Sequence, residues 1–326
     1  MRRFEVLSDE ERVDRYKALA RKALLAYGLA PDLTYVDQGT HTVYRAFFGG
    51  GAFAVRIGEA GRDLALVRRE LLWLAALGRD TSLAVPEPIL TLHGDLFSSV
   101  SMEGVPGIRS CSVVRWVEGE RREAELTADE VAAMGGLAAA LHRHADTFRW
   151  PEEITPVHGD AQSRAFAACE ALRPAVNAPG DPSLLADAAA LIADEISPSP
   201  SAGPIHGDLR LRKLRLDHGV GGVLGFGRCR PGADLEDLSV LWMELAGRRS
   251  ALELRAALLE GYRAVRPLPA SCEDPMRAYA VLRALEDAAR GLDALSRERR
   301  SKGEAAERVA AELRRTLSTL LQPAEA

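Results

Sequence analysis

The two hydrophobic periodicities of this chain are segregated along its length, and that order restricts the folds open to it. Short alternating apolar segments fall between residues 33 and 117, whereas helical spacing dominates from residue 127 onward. Strands gathered first and helices after them predict an α+β arrangement with a boundary near residue 119, dividing the chain into a sheet-bearing part, 1–118, and a helical part, 119–326. The strand candidates are 33–38, 42–48, 52–57, 89–92, 96–102 and 111–117, with Gly49-Gly50-Gly51 turning the second into the third. Ser8 followed by Glu11 reads as a capping box that opens a leading helix running to Gly28. Within the sheet part, Leu66, Leu71, Leu72 and Leu74 give 63–77 the spacing of one helix. Further helices are predicted at 127–145, 160–175, 183–195, 234–247, 250–265, 274–292 and 297–320. Only 203–227 interrupts them, entered through the stiff polar link Pro198-Ser199-Pro200-Ser201.

The tripeptide His-Gly-Asp occurs three times, so its surroundings must separate the copies. His93-Gly94-Asp95 lies between two alternating apolar segments, where Gly-Asp is turn chemistry. His158-Gly159-Asp160 precedes a helical pattern, which makes Asp160 an N-cap. His206-Gly207-Asp208 alone is followed by the broken apolar spacing of a hairpin, through Leu214, Leu216, Val220, Val223 and Leu224, ending at Gly225-Phe226-Gly227.

Composition excludes several classes. A chain of 326 residues with 47% hydrophobic content can bury a sizeable core. Its net charge of -5 and pI near 5.9 supply no overall basic field for nucleic acid. Cys111, Cys169, Cys229 and Cys272 show no CxxC pairing and read as reduced apolar fillers. No apolar run reaches transmembrane length, and Met1-Arg2-Arg3-Phe4 lacks the apolar core of a signal peptide. A cytoplasmic protein, associated with neither membrane nor nucleic acid, is expected.

The copy at His206 keeps company with Gln38-Gly39-Thr40-His41-Thr42-Val43-Tyr44-Arg45, Phe53-Ala54-Val55-Arg56-Ile57, Arg69-Glu70-Leu71-Leu72-Trp73-Leu74, Val85-Pro86-Glu87-Pro88, Leu141-His142 and Asp237-Leu238. In order and spacing these stretches resemble the aminoglycoside phosphotransferase and choline-kinase-like family of small-molecule kinases, over roughly residues 28–290. The resemblance implies a two-lobed protein-kinase-like fold: a small N-terminal antiparallel sheet lobe with one main helix, and a larger helical C-terminal lobe. It implies a cleft for ATP or another nucleotide and an acceptor on the helical side. The Gly39 turn would cover the phosphates, and Arg56 would replace the usual lysine that grips them, oriented by Glu70. Val114 and Trp116 would belong to the hinge Val113-Val114-Arg115-Trp116 that reads adenine. Asp208, with His206 beside it, would be the catalytic-loop base, and Asp237 its buttress. His41 stands where many members have Asn.

Against that pattern two positions depart. The Asn five residues after Asp208 is Lys213, and the metal-binding Asp before Phe226 is Gly225. Gly225 has no side chain to replace the Asp carboxylate and an ammonium repels a dication, so magnesium is not expected to be held. The first reading is therefore a pseudokinase that binds a nucleotide or small anion with little or no kinase activity. The basic run Arg210, Arg212, Lys213 and Arg215 either neutralises a phosphate without metal or forms a solvated face. A second reading is an active small-molecule kinase with Asp217, Asp234 or Glu236 as displaced metal ligands. A third is an inert scaffold for a protein partner, with the C-terminal helix packing on another subunit or closing the helical lobe. Glu260, Glu273, Asp274, Glu286 and Asp287 are candidates to meet a cationic acceptor.

Overall fold

Ser8 starts the first helix as its capping box predicts: its hydroxyl accepts from the Glu11 amide, and its own amide donates to the Glu11 carboxylate at 2.9 Å. The computed structural model describes residues 4–38, 41–119, 125–154, 159–176, 181–197, 203–217, 220–297 and 302–321. They form two compact units: 1–126 with 140–155 and 211–229, and 127–139 with 156–210 and 230–326. The expected single boundary near residue 119 is thus replaced by several crossings of the chain.

In the first unit, α1 (Asp9–Leu24) presents Tyr16, Leu19, Ala23 and Leu24 to a core shared with Tyr44, Val55, Ile57 and Val113. Those last residues lie on an antiparallel sheet of β1 (Thr34–Gln38), β2 (His41–Phe48), β3 (Gly51–Gly58), β4 (Pro88–Ile89), β5 (Ser98–Met102) and β6 (Val105–Arg115). Its order is β1-β2-β3-β6-β4, with β5 also on β6. β4 is shorter than the predicted 89–92 because Thr91 opens the turn of His93-Gly94-Asp95; Gly94 takes φ +84° and donates to the Thr91 carbonyl. Asp63 caps α2 (Leu64–Asp80), whose buried side is Val67, Leu71, Trp73, Leu74 and Leu77, with Leu66 and Leu72 only half-buried.

The segment 211–229 joins this unit through backbone pairing. β8 (Leu214–Asp217) and β9 (Val220–Val223) form the predicted hairpin, and Gly222 bridges Ala84 in parallel, the Val223 amide donating to the Ala84 carbonyl at 2.9 Å. A side chain at Gly222 would meet Val117 at 2.7 Å, so glycine permits this approach.

The second unit is built on α8 (Glu273–Arg297), against which α4 (Ala161–Leu172), α5 (Asp181–Glu195), α6 (Asp234–Leu245) and α9 (Lys302–Leu320) pack. Leu172, Ile192, Leu282, Leu285, Leu313 and Leu317 fill the core. The inner face of α9 is therefore covered within its own unit, which places it on the lobe-closing side of the two alternatives. Asp160 caps α4, accepting from the Ser163 amide at 2.7 Å; His158 and the 198–201 link lie outside the described residues. Two features were not foreseen. β7 (Gly203–Ile205) pairs antiparallel with β10 (Arg230–Gly232), fixing the strand before His206. The helix α3 (Ala128–Ala145) meets α7 (Ala251–Arg263) backbone to backbone: a Cβ on Gly135 would lie 2.1 Å from the Leu258 carbonyl, and one on Gly261 1.9 Å from that of Ala132.

Candidate active site

The sheet unit carries a buried ion pair on the predicted residues. β3 places Arg56 beneath α2, where its Nη1 donates to Glu70 Oε1 at 2.7 Å and its Nε to Ser112 Oγ at 3.1 Å. The pair is not the exposed strand pairing that surface ion pairs usually are: Glu70 is 1% exposed and the Arg56 side chain 10%. Burial works against the Glu70 charge, yet Arg56, His41 and Arg62 together hold its carboxyl below the usual range. Among the described residues Arg56 Nη2 has no partner although it is buried. Arg62 adds a second cation, 3.6 Å from Glu70 Oε2 and within 3.5 Å of the Gly227 carbonyl. Burial and the neighbouring Arg56 drive His41 down to about 3, so its ring is neutral and its Nε2 faces Arg62 at 3.3 Å.

The two departing positions lie together in this unit. The Lys213 ammonium donates to the Gly225 carbonyl at 3.3 Å, and the stem of Lys213 fills the space a side chain at 225 would enter. A Cβ on Gly225 would meet Lys213 Cε at 2.9 Å and Nζ at 3.2 Å, and Gly225 takes φ +80°. Among the described residues, the side chain placed at this carbonyl is an ammonium, a donor that does not fit a magnesium ion. Among the described residues, no group of three or more His, Cys, Asp or Glu side chains is arranged to hold a metal.

Gly39 lies outside the described residues. In the expected hinge, Val114 is buried between β3 and β4, opposite Ala54 and Pro88. The Arg115 and Trp116 amides already donate to Glu87 and Ala52 carbonyls, and Arg45 covers the Trp116 ring at 4.5 Å.

The helical unit carries the Asp208 loop. Asp237 on α6 accepts both the His206 amide at 2.6 Å and the Gly207 amide at 2.8 Å. His206 is fully buried, its Nδ1 facing the Asp208 amide at 3.3 Å. The Asp208 carboxylate is held by two guanidiniums: Arg210 Nε donates to Oδ1 at 2.9 Å, and Arg283 from α8 donates to the same oxygen. Arg283 also donates to the Gly207 carbonyl at 2.6 Å and to Asp287 at 2.8 Å.

From there a chain of alternating charges runs through the unit. Arg210 reaches Glu244 and Asp287; Arg290 joins Asp287 to Glu286; Arg164 joins Glu286 to Glu236; Arg230 closes on Glu236. Burial opposes the Glu236 charge, but Arg230 and Arg164 bring its carboxyl down to about 2. Asp287 falls to about 2 in the same way through Arg283 and Arg290.

This network redistributes several expected residues. Glu236 is engaged by two arginines and Asp234 by Arg266 and Tyr262, so neither stands as a displaced metal ligand. Asp217's side chain lies outside what is described. Glu286 and Asp287 serve the network, while Glu260, Glu273 and Asp274 are exposed. The basic run also separates: Arg210 bonds to acids, Arg215 turns onto the Arg212 and Leu214 carbonyls, and Arg212 is exposed. The sequence reading missed Arg62, Arg164, Arg230 and Arg283; the i,i+4 spacing of Arg283 and Asp287 was the one local signal for them. Beside the network, α6, α8 and α9 enclose a cavity of ≈ 730 Å³ whose wall includes Arg210, Arg283, Met243 and Leu313.

Comparison with known proteins places this geometry. A family model described as phosphotransferase enzyme family matches residues 32–279. Curated proteins gave no match. Among solved structures, the fold is similar to a microcompartment-associated aminopropanol kinase, at 23% identity and TM-score 0.75 over 93% of this chain and 96% of that one. It is similar to the amicoumacin kinase hAmiN in complex with AMP-PNP, Ca2+ and Ami, at 17% identity and TM-score 0.71 over 98% and 96%. An aminoglycoside phosphotransferase from Alicyclobacillus acidocaldarius follows at 16% identity and TM-score 0.61, over 92% and 93%. The α+β architecture is thus the two-lobed protein-kinase-like fold. Among the described residues, no helix is long and apolar enough to cross a membrane.

Proposed function

The chain belongs to the phosphotransferase enzyme family, and from that premise we propose that it is a pseudokinase that binds a nucleotide or small phosphate-bearing anion without magnesium and turns over little or no substrate. The observation that carries this reading is Lys213: its stem occupies the space of the missing side chain at 225 and its ammonium sits on the Gly225 carbonyl. In most family members, by resemblance, a metal-binding carboxylate would stand there.

The same neighbourhood favours an anion. Arg62 and Lys213 meet the Gly227 and Gly225 carbonyls, Arg56 and Arg62 share the Glu70 carboxylate, and among the described residues the buried Nη2 of Arg56 has no partner. A phosphate accepts from a guanidinium in bidentate geometry, a contact lysine does not offer, so Arg56 suits phosphate even though it is not the residue the family uses. The amicoumacin kinase of the same fold was solved with a nucleotide analogue, which supports a nucleotide as the first ligand to try. The reading of an active kinase with a displaced metal draws no support from Asp234 or Glu236, both already engaged by arginines.

Thermal-shift titration of the full chain with ATP, in EDTA and in excess magnesium, tests the proposal. Equal or greater stabilisation without metal is expected, together with magnesium-dependent ATP hydrolysis at background. Stabilisation that appears only with magnesium, or robust turnover by the wild type, overturns it.

A further inference from the structure

We propose that Asp208, which the family resemblance marks as the catalytic base, serves here as the counter-ion of Arg283, and that this pairing blocks phosphoryl transfer independently of Lys213 and Gly225. The inference rests on the pseudokinase reading and adds an obstacle within the helical unit. A general base needs a lone pair within hydrogen-bond reach of the hydroxyl it deprotonates. At Asp208, Oδ1 is already bound by two guanidiniums, Arg283 from α8 and Arg210 from the loop itself, and because the carboxylate charge is shared by both oxygens these two cations stabilise the charge that a base would give up through either of them.

Neither arginine is a loose surface group that a substrate would brush aside. The Arg283 side chain is 7% exposed and Asp208 8%, and Arg283 is fixed at two further points, the Gly207 carbonyl and Asp287. Arg210 is braced by Glu244 and Asp287. Asp237 meanwhile holds the His206 and Gly207 amides, which fixes the backbone leading into Asp208. For a hydroxyl to reach that oxygen, a buried arginine would have to leave three acceptors at once. Burying a charge without its partner is costly, which makes the arrangement a lock and not a transient contact.

The lock predicts that restoring the metal positions alone does not restore activity. Three proteins are compared for magnesium-dependent ATP hydrolysis: the paired reversion Lys213→Asn with Gly225→Asp, the same with Arg283→Gln, and the same with Arg283→Lys. The paired reversion is expected to stay near background, and adding Arg283→Gln to raise turnover at least about a hundredfold, the low side of what a positioned base contributes. Arg283→Lys keeps the cation and is expected to leave the reverted protein inactive, which a merely structural arginine would not predict. Turnover by the paired reversion equal to that of the Gln-bearing protein overturns the lock while leaving the pseudokinase reading intact; turnover by the unaltered chain sinks both.

Should no variant turn over, melting temperatures decide. Asp208→Asn is expected to lower Tm by roughly 6–10 °C, as breaking a buried pair does, and Asp208→Asn with Arg283→Gln to cost less than the sum of the two single changes. Additive losses would show that the two side chains do not depend on each other, and the proposal falls.

Discussion

The two regions that carry the family's motif residues use similar side chains in opposite balance. Around Gly225-Phe226-Gly227, Arg56 and Arg62 share the Glu70 carboxylate, Lys213 donates to the Gly225 carbonyl, and among the described residues the buried Nη2 of Arg56 has no partner. Around Asp208, five arginines (164, 210, 230, 283 and 290) alternate with five carboxylates (208, 236, 244, 286 and 287). A buried cation with an unused donor is, on the proposed reading, an arrangement that an anion would complete. A balanced chain is complete already, so a ligand gains nothing by entering it and a mutation loses much by interrupting it. The two regions thus differ in how far their described charges are paired.

The contrast can be broken at its strongest point first. Glu236→Gln removes the carboxylate shared by Arg164 and Arg230 and leaves two buried guanidiniums short of charge; a loss of about 3–5 kcal/mol in denaturant unfolding is expected. A loss below ~1 kcal/mol would mean the balanced chain is decoration.

Acid should then separate the two regions. His41 titrates at about 3 when folded against 6.5 ordinarily, so below pH 6.5 the unfolded chain binds more protons and stability falls by up to about 1.4 kcal/mol per pH unit until pH 3. Glu236, depressed from 4.5 to about 2, keeps its contribution above pH 4.5 and loses it only as pH falls toward 2. Hydrogen exchange from pH 6.5 to 4.5 should therefore loosen β2 before α6, and His41→Asn should flatten that slope; simultaneous loosening would erase the distinction.

Gly225→Asp alone forces a side chain into positive φ and against Lys213, at an expected cost of about 1–3 kcal/mol. Lys213→Asn in addition should recover part of it, since the contact is then relieved; no recovery would show the two positions to be unlinked. The smallest effect on stability, within about 0.5 kcal/mol, is expected for Lys213→Ala, a half-exposed change. Its affinity for ATP in EDTA should nonetheless weaken severalfold in calorimetry, as loss of one charge-assisted contact implies. Unchanged affinity would remove Lys213 from the anion site.

Much of the fold was legible because it rests on local signals. Ser8 and Asp160 announce helix starts, Gly49-Gly50-Gly51 a hairpin, and alternation the strands of the sheet. The Arg56 and Glu70 pair was foreseen by resemblance, but its burial was not, since burial depends on how α2 lies over β3. The charge chain was largely hidden because it joins residues as distant as Arg164 and Glu286, and its acids were read one by one, as a base, a metal ligand or acceptor contacts, with no signal of their arginine partners. Gly135 and Gly261 were likewise mute, since a glycine within a helix reveals its reason only when the opposing backbone is known.

Phe226 survives between the two glycines where its acidic neighbour does not. Fully buried, it meets Trp73 edge to face at 5.3 Å, and Trp73 meets Trp150 in turn. The segment is thus moored by its aromatic residue, whatever ion or ligand approaches. Its pose is set at the time of folding, so an incoming anion need not organise the segment and forfeits little affinity to ordering it. On the proposed reading, the mould for a ligand thus rests on aromatic packing that a metal ion does not supply.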